Sequence, residues 1–486
     1  MEKNDSNESS TESTKTTILT FEIEEKEKEE EKKGLIEIIG LSNIHRFILF
    51  LFLISSEFIM NISSGLISSC SQIMKSSLQM NDTTYGYFGT SNNFGKLIGS
   101  VLFSVLNKKI PIKKIIVSSI LLKSFFLMSF ELTNNTYLLI FIRGLVGIFR
   151  QPIAIYNAIW IDKFGFENYK TLMMSTIQFI QPGGKVMGYI LHIIITDDFW
   201  KYGFVYEASI LGFFSIFFLF TPNKYFTNDK TDTKLIKEIE QLKTLEIETQ
   251  KKEALYNNNE DNNNNNNNDN NNDNNNNNDN FFENCKKILK NKLYIYCLIV
   301  RSLLFGVNSG IHYWFNDYLV TVIEETNQKK ILIAYFIVAT LGPLFGIIGN
   351  YFIESKIGEY NSKKAISASL FFHFICCIFC IIIPFLRNFI LFLIFMLLYF
   401  VFNSFVIPII QGIIICSVEK ELKITSFSLA NIFQMLLTSG PAPTYYGYVN
   451  DLFHDQIKNA GMIGLLMFTI INLLFMFKIY KIKMSL

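Results

Sequence analysis

Charge is scarce in this chain. Asp, Glu, Lys and Arg make up 18% of its 486 residues, while half of the residues are hydrophobic and 15% aromatic, which is far from the balance of a soluble globular protein. Histidine is rarer still: there are five, no two at metal-ligand spacing, and the HExxH, Walker and GxGxxG patterns are all missing. The sequence therefore points to no resident metal, no cofactor and no enzyme. The net charge of +2 leaves no electrostatic footprint for nucleic acid. Seven cysteines are scattered, and Cys376, Cys377 and Cys380 sit in an apolar run, where they read as reduced small hydrophobes rather than as a disulfide framework. A signal peptide is not expected.

What is present is apolar length. A window of roughly 20 apolar residues spans a bilayer, and six such windows fit at 46–70, 85–106, 112–131, 136–160, 171–195 and 203–220, with six more at 293–318, 331–352, 365–385, 389–416, 424–447 and 460–480. The expected organisation is a disordered acidic tail (1–44), a six-helix half (45–220), a polar linker (221–292), a second six-helix half (293–480) and a short tail (481–486). The linker holds an amphipathic candidate with Leu235, Ile239, Leu242 and Ile247 near one face, then an Asn/Asp tract from Asn257 to Asn280 that reads as a disordered tether. Short loops assigned to the cytosol carry Lys108, Lys109, Lys113, Lys114, Lys163, Lys170, Lys356, Lys363, Lys364, Lys420 and Lys423; the opposite loops carry only Lys75, Lys201, Lys329, Lys330, Arg387 and Lys458. By the positive-inside rule both ends and the linker face the cytosol. Trp160 and Trp200 fall at span ends, as interfacial anchors. The formal sequons Asn81-Asp-Thr83 and Asn134-Asn-Thr136 fall on the other face.

The stretch from Arg143 to Tyr189 organises the rest. Two apolar segments each carry a permanent cation near the middle, Arg150 and Lys185, among glycines (Gly144, Gly147, Gly183, Gly184, Gly188) that permit close helix approach and two prolines, Pro152 and Pro182. An unpaired charge at the bilayer centre costs at least about 2.5–3.5 kcal/mol, so such residues face a cavity or a partner. Glu57, Lys96, Arg150 and Lys185 all lie within about one turn of their spans' midpoints. Gly89, Asn93, Lys96 and Ser100 share one face of the second span, Glu57 and Asn61 one face of the first, and Arg143 lies seven residues before Arg150. Three mid-depth cations against one carboxylate leave a positive surplus suited to an anionic substrate group. In the second half, Arg301, Phe305, Asn308 and His312 follow one face, and Asn403, Gln411, Asn431 and Gln434 are amides that either bind substrate or join helices.

Twelve spans as six plus six with a long central loop resemble the major facilitator superfamily. Arg143-Gly-Leu-Val-Gly147 is similar to that family's fourth-helix RGxxG. Asp162-Lys-Phe, Lys170-Thr171, Pro182-Gly183 with Gly188-Tyr189, Gly342-Pro343-Leu-Phe-Gly346-Ile-Ile-Gly349, Lys356-Ile-Gly358-Glu-Tyr360 and Pro441-Ala-Pro443-Thr-Tyr-Tyr446-Gly447 together look like a subgroup from unicellular eukaryotes distantly similar to spinster-type transporters. One departure is the loop after the second span, where Asn107 stands in place of the family's acid and the second glycine is missing. The resemblance implies an all-α membrane protein of twelve transmembrane helices in two six-helix halves, with the mid-depth charges around a central cavity, and places Lys123 and His373 on peripheral helices, in a structural or lipid-facing role. It also implies a secondary transporter working by alternating access, with a small organic anion, pantothenate among them, as the leading substrate and a proton or other cation gradient as the drive. On this reading Arg150, Lys185, Lys96, Arg143, Asn93, Asn308 and His312 bind substrate, and Glu57, whose ionisation balances burial against a neighbouring cation, carries the coupled proton. The alternatives are a lysolipid or sphingoid-lipid exporter of spinster type and a non-transporting receptor or scaffold. The expected location is the plasma membrane, with an endolysosomal membrane as the alternative suggested by the dileucine-like Glu31-Lys-Lys-Gly-Leu35-Ile36.

Overall fold

The computed structural model describes residues 42–226 and 281–485, apart from 108, 167–169, 196–198, 346–347, 349–361, 420–421 and 454–456. The dileucine-like motif, the amphipathic linker candidate and the Asn/Asp tract lie outside the described residues. Helices account for the regular structure of the described residues. The first set is α1 (Asn43–Ile59 continued by Ile62–Ser69), α2 (Asp82–Leu106), α3 (Ile112–Met128), α4 (Thr136–Phe164), α5 (Lys170–Ile194) and α6 (Tyr202–Phe220). A short helix, Phe281–Ile288, precedes the second set: α7 (Lys292–Thr321), α8 (Gln328–Phe336 and a π turn at Ile337–Leu341), α9 (Lys363–Ile382), α10 (Phe389–Cys416), α11 (Lys423–Gln434, a π turn at Met435–Ser439, then Ala442–Phe453) and α12 (Ala460–Ser485). Eight stretches among the described residues are long and apolar enough to cross a membrane. Of the others, α3 is short at 17 residues, α11 is interrupted by its π turn, and α2 carries the polar and small residues Asn92, Asn93, Gly95 and Lys96. The chain is an all-α membrane protein built of two six-helix halves.

The helix starts follow local chemistry. Asparagine side chains cap the N-termini of α2, α4, α7, α8 and α10: Asn81, Asn135, Asn291, Asn327 and Asn388 each accept from backbone N–H groups of the first turn, donors that have no partner inside the helix. Large apolar side chains such as Phe125, Phe141, Phe213, Phe371 and Leu474 point outward and are exposed, the arrangement a bilayer rewards. All seven cysteines are free, six of them buried.

Two irregularities matter for the interior. The α1 ladder breaks at Met60–Asn61, which frees carbonyls at membrane depth, and these must find donors. Asn61 Nδ2 donates to the Glu57 carbonyl at 2.7 Å, and Lys123 Nζ reaches from α3 to the Met60 carbonyl at 3.0 Å. The second is the π turn in α11, which turns the Ser439 carbonyl toward α2 and α7, where Asn93 Nδ2 (2.7 Å) and Ser309 Oγ (3.2 Å) donate to it; such turns recur at functional positions.

Candidate functional site

Four of the described cations of the first half lie around Glu57, beside a separate buried Lys123–Glu207 pair. Arg150, on α4, places Nη2 3.0 Å from Glu57 Oε1, and Asn61 Nδ2 approaches the same oxygen at 3.2 Å. Both charges of the pair are buried. Two turns back along α4, Arg143 donates from Nη1 to Ser63 Oγ at 3.2 Å and from Nη2 to Ser64 Oγ at 3.1 Å, so it is solvated by hydroxyls and has no direct ion pair among the described residues. Lys96, on α2, donates to Asn93 Oδ1 at 3.0 Å, and lies within electrostatic reach of Arg150, Lys185, Arg143 and Glu57. Lys185, on α5, makes no hydrogen bond or ion pair with the described residues. Its position follows from packing: a Cβ on Gly65 would overlap the Lys185 carbonyl, so only glycine lets α1 lie this close to α5 and bring Lys185 beside the α1 break.

The sequence-predicted residues thus come together, with different standing. Glu57, Arg150, Arg143, Lys96 and Lys185 share one polar interior. Asn93 also belongs there, with its amide divided between Lys96 and the Ser439 carbonyl, so it links the halves. His312 faces this region from α7: it lies within electrostatic reach of Lys185 and packs against Tyr335 and Phe400, and its Nδ1 has no partner. Asn308 stands one turn away and accepts from Asn403 Nδ2 at 2.7 Å. Arg301 donates to Asn431 Oδ1 at 2.7 Å and lies over the Phe305 ring. The amides Asn403 and Asn431 therefore join helices within the second half.

Lys123 and His373 are not lipid-facing. Lys123 is fully buried and paired to Glu207 of α6 at 2.6 Å, and His373 Nε2 meets the Thr469 carbonyl at 3.0 Å. Glu207 went unnoticed in the sequence, where it is a single acid in an apolar helix. It also accepts from Ser63 Oγ at 3.4 Å, so the Ser63 hydroxyl connects it to Arg143.

A second cluster that sequence reasoning missed closes the bundle at the α1–α2 end, the end expected to face away from the cytosol. Lys75 is ion-paired to Asp82 at 2.9 Å and to Asp317 of α7, and Gln72 Nε2 donates to Asp317 at 2.8 Å. Asp451, on α11, accepts from the first-turn N–H groups of α2, Asp82 N at 3.1 Å and Thr83 N at 2.8 Å, while Asn450 donates to Asp82 at 3.0 Å. The contact needs Gly86, where a Cβ would stand 2.6 Å from the Pro443 carbonyl oxygen. Tyr313 to the Tyr85 carbonyl, Asn316 to the Ser69 carbonyl and Thr90 to the Gly440 carbonyl extend it toward mid-depth. Among the described residues, every hydrogen bond and ion pair between the halves lies between this end and the level of Asn93.

The comparisons agree with this architecture. No curated protein matches the sequence significantly. A solved structure of a bacterial homolog to the human lysosomal transporter Spinster, in an inward-facing and unoccupied conformation, superposes with a TM-score of 0.71 at 12% identity, covering 91% of this chain and 98% of that one. A D-xylose–proton symporter gives 0.63 at 14% identity over 90% and 98% of the two chains, and a peptide transporter in complex with sulfate gives 0.61 at 10% identity over 89% and 95%. The family description Major Facilitator Superfamily matches residues 51–443, most of the chain, from within α1 into α11. The chain therefore belongs to the Major Facilitator Superfamily and is a transporter.

Proposed function

We propose that this transporter moves a small organic anion by alternating access, with a proton as the coupled ion. The observation that carries the reading is the uncompensated charge: among the described residues Glu57 is engaged by Arg150 and Glu207 by Lys123, which leaves Lys96 and Lys185 without an acidic partner. Cations at that depth that have no acidic partner within the protein mark a path for an anionic ligand. Pantothenate belongs to the class of substrate expected. Glu57 carries the proton, because its Oε2 has no partner and its one ionic contact is to Arg150. The halves rock about the midplane site, the α1–α2 end supplies the outer gate, and the positive-inside distribution makes the opposite end the cytosolic one. The plasma membrane is the proposed location.

Counterflow in vesicles reconstituted with the purified chain tests the reading. Labelled organic anions, pantothenate among them, should exchange, and an imposed pH gradient should drive net accumulation. Exchange of lysolipids with no response to any anion would transfer the site to the lipid-export alternative.

A further inference from the structure

We infer that the transported anion is doubly charged, a dicarboxylate or a phosphate monoester. The inference rests on the anion reading above and narrows it. Among the described residues four cations lie around Glu57, and the Glu57–Arg150 pair removes one of each charge. Arg143, Lys96 and Lys185 remain. Arg143 has both terminal nitrogens committed to Ser63 and Ser64 hydroxyls on α1, and Ser63 in turn donates to Glu207, so Arg143 stays charged without a ligand. The two lysines differ from it. Lys96 has a single amide contact and Lys185 has none, so between them they offer several free N–H donors on two helices, α2 and α5. The Lys123–Glu207 pair is self-neutralising and buried between α3 and α6, and does not alter this count.

Ammonium groups act as separate point charges and, unlike a guanidinium, do not present a fork to one carboxylate. Two of them on different helices suit two anionic centres, or the several oxygens of one phosphate. A monoanion would leave one of these lysines uncompensated at a depth where lone charge is expensive. A dianion satisfies both and leaves only the serine-solvated Arg143. On the opposite wall the unpartnered His312 Nδ1 is placed for a hydroxyl or carbonyl on the ligand's neutral part.

The test compares matched pairs that differ by one charge, on the full chain in nanodiscs and in vesicles at pH 8: succinate against monomethyl succinate, glycerol 3-phosphate against its methyl diester, and pantothenate as a further monoanion, with glucose as the neutral control. Thermal stabilisation and counterflow are both read. The expected result is that a dianion stabilises the protein and exchanges, with affinity about tenfold or more above its one-charge partner. Which pair responds separates dicarboxylate from phosphate monoester. In Lys96→Gln or Lys185→Gln that advantage should fall to within about twofold. Pantothenate or another one-charge partner binding as tightly as every dianion would overturn the inference and leave the anion reading in place. Response to the neutral control alone, or to none of the probes, would count against both.

Discussion

Replacing Asp451 by alanine should open the α1–α2 end of the bundle. In the closed arrangement the Asp451 carboxylate accepts two backbone N–H groups from the first turn of α2, at 3.1 and 2.8 Å, where the helix dipole adds to the attraction. Hydrogen bonds to a charged group contribute about 1.5–3 kcal/mol each. The site is partly exposed, so water recovers much of that when the carboxylate is removed, and a net loss of about 1.5–3 kcal/mol is the working figure. Every 1.4 kcal/mol is tenfold in an equilibrium, so the ratio of closed to open should fall roughly 10- to 100-fold. Asp451→Asn keeps one acceptor and should fall between the two. Spin labels at Tyr87 on α2 and Tyr448 on α11, both exposed, in a Cys416→Ser background, would report the distance across this gate. A broadened, longer distance is expected in Asp451→Ala, and more so with Lys75→Met, which removes the bridge between Asp82 and Asp317. An unchanged distribution in a folded, stable variant would mean that the gate is held by the apolar and glycine packing alone, and the reasoning from these charges would fail.

Arg150→Lys should impair transport although the charge is kept, since an ammonium does not reproduce the Nη2 contact by which Arg150 reaches Glu57 Oε1; Arg150→Ala should be worse, and Glu57→Gln should preserve exchange while abolishing dependence on the pH gradient, all read by vesicle counterflow. Lys123→Met or Glu207→Gln alone should cost about 3–5 kcal/mol by stranding a buried charge, whereas Lys123→Met with Glu207→Leu should recover most of it, as melting temperatures in one detergent would show. Deleting Asn257–Asn280 should leave insertion and transport intact, because the tract has no apolar area to bury and linker length has little entropic weight; loss of either would refute the tether reading. A cysteine at Asn135 should react only with reagent added from the non-cytosolic side, and labelling from the cytosolic side alone would reverse the topology.

Membrane class, span number and the mid-depth charges were legible in the sequence because each depends on local quantities: the apolar length that crosses a bilayer, and a residue's distance from the middle of its own span. Even the family departure at Asn107 could be read there. Pairing was another matter. Glu207 and Lys123 are 84 residues apart, and no periodicity within α3 or α6 says that the two faces meet; that follows from how each helix is rotated and from the break in α1 that Lys123 serves. Nor did α7 advertise Asp317, or the loop lysine Lys75 its role, since the cluster they form draws on residues from Gln72 to Asp451 that only the docking of two halves brings together. The sequence determined that a surplus of positive charge lies inside the first half, a matter of composition and depth. Only the tertiary structure decided that Arg150 is the cation Glu57 neutralises and that Lys96 and Lys185 are the ones left over, because close approach at Gly65 and Gly86 sets which side chains fall within reach of one another.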